Sequence, residues 1–154
     1  MYLGTLIDNK LSFNGNTKNI TKKCNQRLYC LHRLRSFDVS RKTMQLFYNA
    51  FILSILSSSF LCWFGNLTVK NRAKLNSIVN KCSKIVGVKQ LSLNEVYERR
   101  VRKRAKGIMR NESHPLAVHY QPLPSGRRLR SLPFKKTRTL NSFVPVSIKL
   151  MNKS

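Results

Sequence analysis

Between Thr43 and Val69 the chain carries no charged residue, although Lys and Arg crowd the sequence on either side. Within that stretch Phe47–Phe64 runs FYNAFILSILSSSFLCWF, apolar almost all the way round when wound as a helix. A helix without a polar face has to be buried on more than one side, so this stretch is expected to be the central element. Its 18 residues sit at the short limit for crossing a bilayer. Asn49 and the serines at 54, 57, 58 and 59 interrupt it, and cations on both sides give no orientation. A core helix is the expectation, and membrane association through residues 47–64 is the alternative.

The flanks are amphipathic. Tyr2–Asp8 is a β-leaning run, and Leu11, Ser12 and Phe13 lead into the turn residues Asn14-Gly15-Asn16, which predicts a strand or hairpin. Its abrupt start suggests a piece of a larger protein. Asn16 or Thr17 is the expected cap of a helix to about Ser36, with Ile20, Cys24, Leu28, Leu31 and Leu34 as its stripe. Arg27 falls inside that stripe and has to snorkel or find a partner. Ser40 is placed to cap the charge-free helix, and Thr68 to cap a third helix ending at Gly87. Leu75, Ile78, Val79, Cys82, Ile85 and Val86 give the third helix its apolar face. Ser92-Leu-Asn-Glu95 has the capping-box form and opens a fourth helix to about Arg110.

Thirty Lys and Arg stand against five acids, Asp8, Asp38, Glu95, Glu98 and Glu112, for a net charge of +25. A compact domain with that balance repels itself, so a polyanionic partner is the natural explanation, with RNA or DNA ahead of an anionic membrane. On the fourth helix Arg99, Lys103, Lys106 and Arg110 recur at 4, 3 and 4, a ridge beside the stripe Tyr97, Val101, Ala105 and Ile108. At 1.5 Å per residue the ridge spans about 16 Å, enough to track several phosphates. After Glu112 there is no acid, five prolines from Pro115 to Pro145 break any long helix, and Arg127, Arg128, Arg130, Lys135, Lys136 and Arg138 extend the positive potential. Leu129 and Phe134 are interleaved with these cations as apolar anchors.

The inventory for catalysis is poor. Asp8 and Asp38 are far apart, no paired carboxylates suit two-metal chemistry, and no Gly-rich phosphate loop occurs. His114 and His119 flank a Pro-containing loop without a nucleophile at a meaningful spacing. Cys30-x-His32 lacks a second ligand pair, so neither metal nor cofactor is expected. Cys24, Cys30, Cys62 and Cys82 form no C-x-x-C pair and are expected to be reduced, in an intracellular protein, nuclear or cytoplasmic and not secreted. Met1 is not followed by a basic start and an apolar run, so no leader is recognised.

Tyr2-Leu-Gly-Thr-Leu-Ile-Asp8 with Leu11-Ser-Phe13 resembles the K-Y-L-G-v-x-I-D-x-x-L-x-W/F signature just downstream of the polymerase active site in non-LTR (LINE-type) retrotransposon reverse transcriptases. The Leu31–Leu34 pattern, Leu46-Phe-Tyr48, Trp63-Phe-Gly65 and Asn141-Ser-Phe-Val-Pro145 are similar to that family in order and spacing. The resemblance implies a thumb and post-thumb segment that grips template–primer duplex. The family's F/Y-A-D-D turn and its upstream aspartate have no match here, and without those carboxylates two-metal phosphoryl transfer cannot run. Segments of this kind also resemble the N-terminal region of AlkB-homologue 2-oxoglutarate-dependent oxidoreductase and methyltransferase proteins. Neither an H-x-D…H iron triad nor a methyl-donor loop accompanies that second likeness.

The expectation is a mostly α protein: a small helical bundle around a central apolar helix, a short N-terminal β-hairpin or strand, and a basic, partly irregular C-terminal tail. Residues 1–112 would form the helical domain and 113–154 the tail. Its expected role is a non-catalytic nucleic-acid-binding remnant of a reverse transcriptase thumb region, with no enzyme activity.

Overall fold

A computed structural model describes residues 4–153, and these are mostly helical. They divide into two compact units, Met1–Phe60 with Leu67–Leu93 and Leu61–Asn66 with Asn94–Ser154.

In the first unit α1 (Asn14–Ser36) packs on α5 (Val69–Val86). The two stripes follow the 3.6-residue period: Ile20, Cys24, Leu28 and Leu31 are buried on α1, and Leu75, Ile78, Val79, Cys82, Ile85 and Val86 on α5. Thr68 caps α5 by accepting from Asn71 N–H at 3.3 Å, and Gly87 ends it in the left-handed region at φ 75°. Arg35 reaches across from α1, and its Nη1 donates to the carbonyls of Lys84 (2.8 Å) and Ile85 (2.6 Å) at the α5 C-terminus. Arg27 does snorkel, with its guanidinium carbon 5.7 Å from the centre of the Phe51 ring.

The charge-free stretch departs from the uninterrupted, enclosed helix expected of it. Ser40 caps α2 (Arg41–Phe47) through Thr43 N–H at 3.2 Å, and the chain then widens into a π-helix, Tyr48–Leu53, before α3 (Ser54–Leu56). Ser54 and Ser57 donate their hydroxyls to the carbonyls four residues back, Ala50 and Leu53, each at 2.5 Å. Such back-bonding loosens the regular ladder, and the path breaks at Ser57–Ser59, where Ser59 has φ 49°. α4 (Phe60–Trp63) and a 3-10 turn, Phe64–Asn66, follow. Only one row of α2–α3 is buried, Met44, Tyr48, Ile52 and Leu56, while Leu46 is 61 % exposed and Phe51 46 % exposed. A single row suffices against α1 and α5, which leaves the reverse face outward.

The N-terminal strand or hairpin is not present among the described residues, and Tyr2 and Leu3 lie outside them. Side chains take the backbone donors that a ladder would need. The Asp8 carboxylate accepts from Ser12 N–H (2.6 Å), Phe13 N–H (3.4 Å) and the Ser12 hydroxyl, and Asn16 Oδ1 accepts from Leu6 N–H at 3.2 Å. Helix α1 accordingly starts earlier than expected, at Asn14, behind a left-handed Phe13 (φ 54°). Neither Asn16 nor Thr17 caps it; both are buried within its first turns.

In the second unit α6 (Leu93–Met109) buries Tyr97, Val101, Ala105 and Ile108. Phe64 packs its ring 5.1 Å from that of Tyr97. After a 3-10 turn at Ala117–His119 come α7 (Thr137–Leu140) and α8 (Phe143–Met151). Pro145 lies in the first turn of α8, where its missing N–H has no intrahelical acceptor to lose. Ala105, Ile108, Tyr120 and Ile148 form the core here, with Leu116, Leu129, Leu132 and Phe143 packed against it. Tyr120 Oη lies 2.7 Å from Ser147 Oγ inside that core.

Candidate nucleic-acid interface

Helix α6 has Glu95 in its first turn and Lys106 in its last, charges that match the helix dipole at each end. Its buried stripe fixes its rotation. Arg99, Lys103 and Lys106 then stand on the solvent side, and Arg110 continues the row on the closing turn, where its N–H donates to Lys106 O at 3.2 Å. At about 100° per residue the centre of this row lies about 180° from the centre of the Tyr97–Ile108 stripe. The ridge is thus opposite the stripe, not beside it, and all four residues are exposed.

A tight antiparallel turn presents the next three cations. Leu123 N–H donates to Arg128 O, Arg130 N–H to Gln121 O and Gly126 N–H to Leu123 O, each at 2.8 Å, around a lone bridge between Pro122 and Leu129. Gly126 supplies the positive φ of 67° that the reversal requires. Asn152 holds the turn to the end of α8: Leu129 N–H donates to its Oδ1 (2.8 Å), and its Nδ2 donates back to Leu129 O (3.0 Å). Leu129 packs on the core while Arg127, Arg128 and Arg130 are exposed, so these cations ride on an anchored support. Lys135, Lys136 and Arg138 are exposed on the separate segment that enters α7. Phe134, 40 % exposed beside them, leaves much of its ring in solvent. The ridge, the turn and this segment all belong to the second unit.

Sequence reasoning missed a cleft of about 470 Å³ in the first unit, lined by Asn25, Tyr29 and His32 of α1 and Lys81 and Lys84 of α5. Tyr29 is 68 % exposed there. Each residue was visible as the polar side of its own helix. Their meeting depends on the register of α1 against α5, which the sequence does not state.

Of the four cysteines, all with free thiols, Cys24 and Cys82 are fully buried and Cys30 and Cys62 exposed. Burial pushes the thiols of Cys24 and Cys82 up to about 12 from the usual 9.0. Burial raises the phenol of neighbouring Tyr48 as well. These are inert core groups, unlike the partly exposed, electropositive setting of a reactive thiol. Among the described residues no three of His, Cys, Asp and Glu gather to hold a metal ion. His114 has a local role, accepting Leu116 N–H on Nδ1 at 3.1 Å.

The chain matches no family model, and no curated protein or solved structure is significantly similar to it.

Proposed function

We propose that this protein is a non-catalytic nucleic-acid-binding remnant of a non-LTR reverse transcriptase thumb region, gripping RNA or duplex through phosphate contacts. The observation that carries the reading is the exposed row Arg99, Lys103, Lys106 and Arg110, held outward on a helix whose opposite side is locked into a core. The anchored turn with Arg127, Arg128 and Arg130 supports it from the same unit, and Lys135, Lys136 and Arg138 add to its potential. For the first unit the reading includes a small bundle organised round the apolar segment. Backbone contacts of this kind give salt-dependent affinity with little sequence preference.

The test is filter binding of duplex and RNA across a salt series. Affinity should fall linearly with salt on logarithmic axes, and replacing the four ridge residues with Gln should flatten the slope by about three to four. A flat salt response, or a slope indifferent to the replacement, overturns the reading.

A second reading, attachment to an anionic membrane, is favoured by one observation. Arg41–Asn66 is long and apolar enough to cross a bilayer, with a mean hydropathy of 1.6 over its most apolar window, of which only 33 % is buried. Co-sedimentation with anionic vesicles, lost on replacing Leu46 and Phe51 with Asp, would favour it over the first.

A further inference from the structure

Two serines in the sequence have an arginine both three residues and one residue before them: Ser36, after Arg33 and Arg35, and Ser131, after Arg128 and Arg130. Ser131 has a further arginine at position 127. An arginine-directed serine kinase reads arginines in that register, because acidic groups in its substrate groove pair with guanidinium forks beside the acceptor hydroxyl. By sequence the two serines are near equals. The fold separates them.

Ser36 closes the last turn of α1, and its hydroxyl donates to the Arg33 carbonyl at 2.8 Å. Its arginines are engaged as well. The Arg33 guanidinium carbon lies 5.1 Å from the centre of the Phe37 ring, and Arg35 caps the carbonyls of Lys84 and Ile85. Using this site means unwinding a helix end and breaking the link from α1 to α5. Ser131 is in the opposite state. It is exposed, in a run without helix or strand from 130 to 135, and neither its hydroxyl nor its backbone is hydrogen-bonded among the described residues. The guanidiniums of Arg127, Arg128 and Arg130 are exposed too, and among the described residues they carry no ion pair or hydrogen bond. Just before Ser131, Leu129 is held in place by Asn152.

We infer that Ser131 is a phosphorylation site for an arginine-directed serine kinase, and that its phosphate withdraws Arg127, Arg128 and Arg130 from nucleic acid. In the transfer Ser131 Oγ bonds to the γ-phosphorus of ATP as the bond to the ADP oxygen breaks, and the hydroxyl proton passes to the kinase's catalytic carboxylate. That needs a hydroxyl free to line up with the γ-phosphoryl, which Ser131 offers and Ser36 does not. The product carries about −1.5 to −2 charge and three acceptor oxygens directly after three guanidiniums, which pair with it in place of a nucleic-acid phosphate. The acceptor site stands on the geometry of the turn, whereas its effect on binding rests on the function proposed above.

The test treats the full chain with ATP, Mg²⁺ and each of two active arginine-directed enzymes, the catalytic subunit of cAMP-dependent protein kinase and a calmodulin-dependent protein kinase, and maps the phosphate by mass spectrometry. Ser131 should be modified at least about tenfold faster than Ser36, and Arg128→Gln should slow it by about tenfold, the size of one charged hydrogen bond. No phosphate on Ser131 with either enzyme, or Ser36 modified as fast, overturns the site. The salt series for duplex is then repeated on the phosphorylated chain. Its slope should flatten by about two to three, one unit for each cation withdrawn, and Ser131→Ala treated in parallel should keep the parent slope. A phosphorylated chain with the parent slope overturns the effect on binding. If the unmodified chain does not bind duplex, the proposed function falls and the binding effect with it, while a phosphate mapped to Ser131 still supports the site.

Discussion

A Cβ built on Gly65 would lie 2.2 Å from the carbonyl oxygen of Asn141 and 2.9 Å from the Tyr97 hydroxyl. The first of these atoms is backbone, so it cannot swing aside as a side-chain end would. The turn at Phe64–Asn66 and Asn141, the first of two residues between α7 and α8, meet with room only for hydrogen. Gly65→Ala should therefore destabilise the protein by about 2 kcal/mol or more, the usual scale of forced overpacking. Urea unfolding measures it, and a loss under about 0.5 kcal/mol, the range of an ordinary surface change, would contradict so close an approach.

Arg35 contributes differently. Its guanidinium caps the last carbonyls of α5, where the helix dipole is negative, and both hydrogen bonds join helices far apart in sequence. Arg35→Met keeps most of the stem and removes the charge and the donors. About 1 kcal/mol of stability should be lost, on the scale of solvent-accessible hydrogen bonds to a charged group. Arg35→Lys should recover part of it, because an ammonium still complements the dipole. Equal loss in both variants would mean that the two guanidinium hydrogen bonds matter and a charge beside the dipole does not, and no loss in Arg35→Met would remove the cap from this account.

How far these features were legible from residues depends on how local their causes are. Helix α5 could be read almost to the residue, since Thr68 and Gly87 punctuate it and six apolar positions keep its period. The α6 ridge was legible because four cations at helical spacing share a face wherever that helix packs. The N-terminal segment misled because a β-leaning run ahead of turn residues suggested a strand or hairpin, whereas the side chains of Asp8 and Asn16 capture the donors at residues 6, 12 and 13. In the charge-free stretch composition implied burial all round. Serine back-bonding and packing on α1 and α5 instead leave Leu46 and Phe51 open. The cleft lined by α1 and α5 was invisible, because it needs partners whose meeting is a tertiary fact.

The cysteines separate by burial. Cys30 and Cys62 should alkylate readily at pH 8 in the native protein, while Cys24 and Cys82 stay protected until unfolding, as mass spectrometry of the labelled chain would show. Their raised thiols also fix a direction for pH. Below about pH 9 folded and unfolded chains both keep these protons, and the stabilisation is fully present. Above it only the unfolded chain releases them, so stability falls until the folded thiols ionise near 12. Each thiol adds up to about 1.4 kcal/mol of loss per pH unit in that window. Cys82→Ala should show a shallower fall between pH 9 and 11 than the parent. An identical slope would remove Cys82 from this account.

Tyr120 and Ser147 allow a test with an asymmetric outcome. The Ser147 hydroxyl sits 2.7 Å from the Val144 carbonyl, an acceptor only, so its single proton goes there. The contact with Tyr120 must then run the other way, with the phenol donating to Ser147 Oγ. Tyr120→Phe removes a donor and leaves Ser147 still bonded to Val144, at a cost of about 1 kcal/mol. Ser147→Ala is worse, because it leaves the buried phenol with nothing to donate to, and should cost about 1–3 kcal/mol. The double variant should consequently be more stable than Ser147→Ala alone, since a ring without the hydroxyl needs no acceptor. Thermal unfolding of the three variants decides the matter. If the double variant is the least stable of the three, the phenol is not the donor and the asymmetry argued from Ser147 and Val144 is wrong.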